Sequence, residues 1–343
     1  MEGKHRAPAT RRPIRRDNSS PAAVWKEKEY LDGKIVDSGV VILRTSGCSH
    51  FREGGCSMCG YNTESRADIS AEDLKSQFAK GVSDLQDIAL LKVYTSGSFL
   101  DEKEVPPDVA DSILVYCSNS GTRLLFESRP EFVRPDRLKN MLQKHDDLEI
   151  ALGLESSNDR VLKYSINKGF TVDDYSAAAR TIRETGIAVR TYVLLKPPFL
   201  TEAEAIADAK ATIRFAAMAS DAVSLNPVNI QKGTLVEKLW SNWSYRSPWL
   251  WSVLEVLRES SSTSAKLICE PTGGGKERGA HNCGKCDASI LESLREFSLS
   301  QNYGKLRSTD CECRDLWESI VGTEGFVVGG AVDLQRFFRK HRA

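Results

Sequence analysis

The chain has 343 residues, 41% hydrophobic and 27% charged, the composition of an ordinary globular protein with room for one large α/β domain and a small appendage. Its 47 basic and 47 acidic residues cancel, which excludes a wholly basic nucleic-acid binder but leaves room for a local basic footprint. No apolar run approaches the ~20 residues that span a bilayer, and the first residues lack the apolar core of a secretory signal. A cytoplasmic protein is therefore expected, and in a reducing compartment nine cysteines point to metal ligation rather than disulfides.

In chain order, residues 1–30 form the first expected segment, a basic, disordered arm. Lys4, Arg6, Arg11, Arg12, Arg15 and Arg16 crowd its start and Pro8, Pro13 and Pro21 interrupt it. It is either an arm that touches RNA or a solvated tail. From residue 36 strand and helix patterns alternate. Strands are expected at 40–44, 88–94, 123–127, 148–155, 188–195 and 222–225. Helices are expected near 70–84, 107–118, 135–144, 159–164, 172–185, 202–219, 234–240 and 288–300. Ser70 with Asp73 reads as a capping box, Pro107 as a first-turn proline and Thr201 as an N-cap. Near-continuously apolar strands alternating with helices mean parallel βα units covered on both faces, hence a partial (β/α)6 barrel over 31–265. A cysteine-rich module is expected over 266–343.

The chemistry starts at Cys48, Cys56 and Cys59, spaced Cys-x7-Cys-x2-Cys directly after the first strand. A structural zinc takes four protein ligands. Three soft thiolates suit a [4Fe–4S] cluster with one iron left to chelate S-adenosylmethionine. The alternative is half of a zinc module. In a barrel, loops after the strands gather at one face. There the topology collects Cys48, Gly97 and Ser98, Glu127 and Arg129, Glu155, Lys196 and Asn226, which favours a catalytic cluster.

These features resemble the radical S-adenosylmethionine superfamily. The segments Arg44-Thr-Ser-Gly-Cys48, Cys56-Ser-Met-Cys-Gly-Tyr61, Tyr94-Thr-Ser-Gly-Ser-Phe99, Gly153-Leu-Glu-Ser-Ser157, Ser224-Leu-Asn-Pro-Val-Asn-Ile-Gln231 and Tyr245-Arg-Ser-Pro-Trp-Leu-Trp251 narrow the resemblance to the archaeal radical subunit of archaeosine synthase. The resemblance implies a lyase acting on tRNA position 15. A partner subunit joins lysine to a 7-cyano-7-deazaguanine base, and the radical enzyme breaks the lysine Cε–N bond to leave archaeosine. It further implies that Gly97 and Ser98 hold the amino group of S-adenosylmethionine, although the family's acidic third residue is absent from this loop. Rivals in the class are methylthiolation of tRNA and Elongator-like uridine modification. A rival outside it is a non-catalytic zinc protein that binds RNA.

Residue by residue, Glu127, Arg129 and Glu155 suit a ribose hydroxyl or a carboxylate, or else form a Glu–Arg ion pair across the barrel mouth. Asn226 either supports adenine or ribose or only ends a strand before Pro227. Lys196 meets a tRNA phosphate or is solvated. Met58 reads as packing around the cluster. Trp240, Trp243, Tyr245, Trp249 and Trp251 read as an interdomain packing cluster in preference to a base-stacking surface. Near the end, Cys283-x2-Cys286 and Cys311-x-Cys313 supply four thiols, the count for a closed zinc site, with a second iron–sulfur cluster as rival and His281 as a substitute ligand. Cys117 and Cys269 read as buried, unliganded cysteines.

Overall fold

The computed structural model describes residues 17–327, with side chains described to residue 324. The first sixteen residues of the basic arm lie outside it. Eight strands form one sheet in the order β1 to β8: β1 (Ala23–Leu31), β2 (Lys34–Ile42), β3 (Leu90–Tyr94), β4 (Arg123–Ser128), β5 (Leu148–Glu155), β6 (Ala188–Leu195), β7 (Ala222–Pro227) and β8 (Lys266–Ile268). Strands β2 to β8 are parallel, and β1 pairs with β2 antiparallel along their whole length. The six expected strands are β2 to β7, and the sheet curls into a half-barrel.

Two strands differ from expectation. The arm expected over residues 1–30 contains β1, whose Lys-Glu-Lys-Glu run reads as polar because its inward residues are charged. Residue 266, expected to begin a separate module, begins β8. The reason for β1 lies under the barrel floor. Lys92 Nζ meets Glu27 and Glu29 at 2.6 Å each. Arg190 reaches Glu149 at 2.7 Å and Glu29 at 3.2 Å, and Lys266 reaches Glu29 at 3.5 Å. Opposed charges at close range make this inward polar face tolerable.

The pleat separates two apolar layers. Leu91, Val93, Leu124, Phe126, Ile150 and Leu152 join the helices in the main core. Leu90, Leu125 and Ala151 meet Leu31, with Tyr94 and Tyr192 packed against them, on the other face. The helices are α1 (Ala71–Ser83), α2 (Pro107–Ser120), α3 (Pro135–Leu142), α4 (Val172–Glu184), α5 (Glu202–Ala217), α6 (Leu235–Ser241), α7 (Leu250–Glu259), α8 (Asp287–Ser300) and α9 (Cys313–Val327). The Ser70–Asp73 and Thr201–Glu204 capping boxes are present. Helix α7 was not expected, and α9 was not either. The expected helix at 159–164 is a π-helical turn, Val161–Ile166. The same core that fills the helical layer runs on through Cys269, Ile290, Leu294, Phe297 and Trp317, so the C-terminal elements pack directly on the barrel. No helix among the described residues is long and apolar enough to cross a membrane.

Candidate active site at the barrel mouth

The loop after β2 carries Cys48, Cys56 and Cys59, all reduced and partly buried. Four residues pin it. The Cys48 amide donates to Asn62 Oδ1 at 3.1 Å. The Ser57 amide donates to the Ile166 carbonyl at 2.8 Å, and Asn167 Nδ2 donates to the Gly55 carbonyl at 2.7 Å. The Gly60 amide donates to Gln231 Oε1, beyond β7. Cys56 and Met58 pack on an apolar group that includes Leu162, Ile166, Val228 and Val236, so Met58 has the packing place expected of it. Burial raises the Cys56 thiol and pushes Cys59 up to about 12, although Lys168 acts in the opposite direction on both.

Gly97 lies against this loop. A Cβ there would stand 2.7 Å from Cys48 Cα and 2.8 Å from Cys48 Cβ, closer than carbon atoms pack, so the approach requires glycine. The Ser96, Gly97 and Ser98 amides all donate to Glu104, at 3.0, 3.0 and 2.7 Å, and Thr45 Oγ1 donates to the same carboxylate at 2.7 Å. Desolvation nevertheless raises the Glu104 carboxyl above its ordinary value. The Ser98 hydroxyl is buried against Ser128 at 2.9 Å.

On β5, Glu155 has φ 70°, a left-handed conformation that is strained for a residue with a side chain, at a register shift in the β5–β6 pairing. Its carboxylate meets Lys168 Nζ at 2.8 Å, with both groups buried. Lys168, Arg129 and Glu155 all act on Cys56. Arg129 is held by Glu131 and donates to the Lys168 carbonyl at 3.1 Å. The expected Glu–Arg pair across the mouth is thus replaced by two others, because Lys168 reaches Glu155 first and Glu131 lies two residues from Arg129. On the inner face of β4, Glu127 shares a hydrogen bond with Tyr192, which also bonds Tyr94. Burial and the Glu155 and Glu104 carboxylates push Glu127 up to about 7, against Tyr192 and Lys168. Asn226 accepts from Ser224 Oγ at 3.0 Å.

Archaeosine synthase subunit beta of Methanosarcina acetivorans is 40% identical to this chain over 320 residues, 91% of this chain and 92% of that protein. The same subunit of Thermococcus kodakarensis is 36% identical over 309 residues, 87% and 95% of the two. The chain belongs to the archaeosine synthase subunit beta family. Crystalline methylornithine synthase shares the fold, with a TM-score of 0.50 at 16% identity over 70% of this chain and 66% of that one. No family model matches the chain.

In this family member a groove of about 560 Å³ opens beside the mouth, where β6 ends, lined by Lys196, Trp240, Trp243, Arg246 and His281 among others. Lys196 is neither solvated nor free. It has φ 63° and its Nζ meets Glu202 at 2.6 Å, because Glu202 opens α5 only six residues later. Tyr245, Trp249 and Trp251 are buried, Tyr245 in the apolar group under the cysteine loop and the two tryptophans in the main core, and Tyr245 donates to the Lys196 carbonyl at 2.6 Å. Trp243 stands 95% exposed on the groove.

Farther along, the Cys283, Cys286, Cys311 and Cys313 sulfurs all lie within 4.8 Å of one another. His281 is outside this group, and its Nδ1 faces the Gly279 carbonyl at 2.9 Å. Cys117 and Cys269 are fully buried, and burial alone pushes Cys117 up to about 12. Sequence reasoning missed Glu104, Lys168, Tyr94 and Tyr192 as parts of the site. Tyr94 and Tyr192 carry a legible signal, since each stands two residues along its strand from an inward charged residue, Lys92 or Arg190. Glu104 and Lys168 sit in loops and carry none.

Proposed function

We propose that this chain is the radical subunit of archaeosine formation, cleaving the lysine Cε–N bond of a lysine-adducted 7-cyano-7-deazaguanine base at tRNA position 15. The observation that carries this is likeness to named archaeosine synthase subunits over about nine-tenths of both chains. Cys48, Cys56 and Cys59 are the residues to hold a [4Fe–4S] cluster, and the setting fits: three free thiols on one pinned loop, within electrostatic reach of one another and of the buried cations Lys168 and Arg129. Together with S-adenosylmethionine, the cluster supplies a primary carbon radical able to take hydrogen from an unactivated C–H.

The chain's own residues account for the rest. With its amides committed to Glu104 and the Ser98 carbonyl accepting the Asp101 amide, the Ser96–Ser98 loop has the Ser96 and Gly97 carbonyls to offer, which suit the ammonium of S-adenosylmethionine. Lys168 and Arg129 favour a carboxylate beside Cys56, and Glu155 and Asn226 suit hydroxyl and adenine groups. Glu127, raised toward neutral pH and joined to Tyr192 and Tyr94, is placed to take up or release a proton in the mouth. The relatives' designation as a subunit beta supports a hetero-oligomer with a lysine-transferring subunit, and the cytoplasm is the place for both.

The test is an anaerobic reaction with reductant, S-adenosylmethionine and tRNA carrying the lysine-adducted base, followed by mass spectrometry of the digested nucleosides. Archaeosine with matching 5′-deoxyadenosine is the expected result. 5′-Deoxyadenosine without a changed base would reject the substrate and keep the radical chemistry. Neither product, from protein with its iron and sulfide intact, would return the chain to RNA binding without catalysis.

A further inference from the structure

We propose that Cys283, Cys286, Cys311 and Cys313 hold one Zn²⁺ in a closed tetrahedral site, separate from the three-cysteine loop, and that this ion clamps the wall of the groove beside the barrel mouth. The sulfur spacing selects a single ion. Cys283 and Cys311 are 3.5 Å apart, Cys286 and Cys313 3.6 Å, and Cys311 and Cys313 3.5 Å. Four sulfurs about 2.3 Å from a zinc form a tetrahedron with edges of about 3.8 Å. A disulfide would need about 2.05 Å, and all four cysteines are reduced. Thiolates on separate irons of a cluster stand farther apart than thiolates that share one ion.

The surroundings are those of a bound thiolate set. Cys286 is the N-cap of α8 and Cys313 opens α9, so two of the sulfurs sit at helix ends that favour negative charge. Asn282 Nδ2 donates to Cys286 Sγ and Trp251 Nε1 donates to Cys313 Sγ, each at 3.3 Å. Donors of this kind fix the orientation of metal ligands. With four thiols there is no open position for substrate, so the role is structural.

The clamp follows from what Asn282 and its neighbour also hold. Asn282 Oδ1 accepts the Leu250 and Trp251 amides at 2.9 and 3.4 Å, which ties the site to the start of α7. Arg246 Nη2 donates to the His281 carbonyl at 2.8 Å, and both residues line the groove. An ion that fixes residues 282–286 against 311–313 therefore fixes Arg246 and the first turn of α7.

The test compares the wild-type chain with a Cys48→Ala, Cys56→Ala, Cys59→Ala triple variant, both purified anaerobically, by elemental and acid-labile sulfide analysis. About one zinc per chain is expected in both, with iron and sulfide in the wild type alone. Iron and sulfide retained in the triple variant, or no zinc in either protein, would overturn the assignment. A wild type without iron would defeat the three-cysteine cluster and leave the zinc result readable. Cys283 is exposed, so Cys283→Ala removes a ligand with little packing loss. It is expected to lose the strong thiolate-to-cobalt absorption that Co²⁺ gives in the parent, and Cys283→His is expected to keep a tetrahedral cobalt spectrum. For the clamp, zinc removal from the triple variant is expected to speed hydrogen exchange at residues 246–252. Unchanged exchange there would sink the clamp.

Discussion

A carboxyl in the barrel mouth and a glycine against Cys48 make opposite demands on the fold. Glu127 is pushed from 4.5 to about 7, first by burial, with Tyr192 and Lys168 opposing and Glu155 and Glu104 adding to the shift. A carboxyl whose value is raised in the folded state gives up stability as pH climbs through that value. The fold is thus relieved of this cost below about pH 4.5 and bears it in full above about pH 7. Glu127→Gln keeps an acceptor for Tyr192 and removes the charge. Denaturant unfolding is expected to find the variant more stable than wild type by ~1–3 kcal/mol at pH 8, with the gap closing as pH falls toward 4.5. A constant gap would mean Glu127 does not titrate there. Gly97→Ala is expected to act through Cys48. A methyl 2.7 Å from Cys48 Cα must displace one or the other, at ~1–3 kcal/mol. The resulting protein should keep its circular dichroism and carry less iron than wild type.

Strands and helices divide into those whose partners are local and those whose partners are distant, and only the first group is legible in the sequence. Strands β2 to β7 announce themselves by apolar runs, and α1 and α5 by their capping boxes. The cysteine loop is equally plain because metal spacing is a local property. Strand β1 is not, since its inward residues Glu27 and Glu29 find their cations on β3, β6 and β8. Three-residue β8 is too short to carry a pattern, and Lys168 becomes part of the site only through its contact with Glu155 across the mouth. Glu29 offers a direct check on β1. Lys92, Arg190 and Lys266 hold its carboxyl down at about 2 despite burial, so its contribution is present above pH 4.5 and fades as pH falls toward 2. Glu29→Ala leaves buried cations short of a partner and is expected to cost ~3–5 kcal/mol at pH 7 by urea unfolding. A loss below 1 kcal/mol would mean that β1 is held by its ladder to β2 alone.

The molecule as a whole places its polar work at two ends of one half-barrel, a closed ionic floor and an open mouth, and these ends answer differently to loss of the proposed cluster. The floor is held by charges on β1, β3, β5, β6 and β8 with no call on the cysteines. At the mouth, the cysteine loop is tied to its surroundings by single hydrogen bonds: Ser57 to Ile166, Asn167 to Gly55, Gly60 to Gln231 and Val236 to Ser57. Isolated hydrogen bonds at a partly exposed loop mark a segment that opens at low free energy. A cluster bound through Cys48, Cys56 and Cys59 would link both ends of that loop and suppress its opening. Stripping iron with a chelator is therefore expected to raise hydrogen exchange at residues 48–62, 166–169 and 231–236. Protection in β3 to β6 should change little. Faster exchange throughout the sheet would mean that the cluster supports the entire barrel. No change at residues 48–62 would mean that the loop is already rigid without metal, and that its hydrogen bonds alone set the geometry of the thiols.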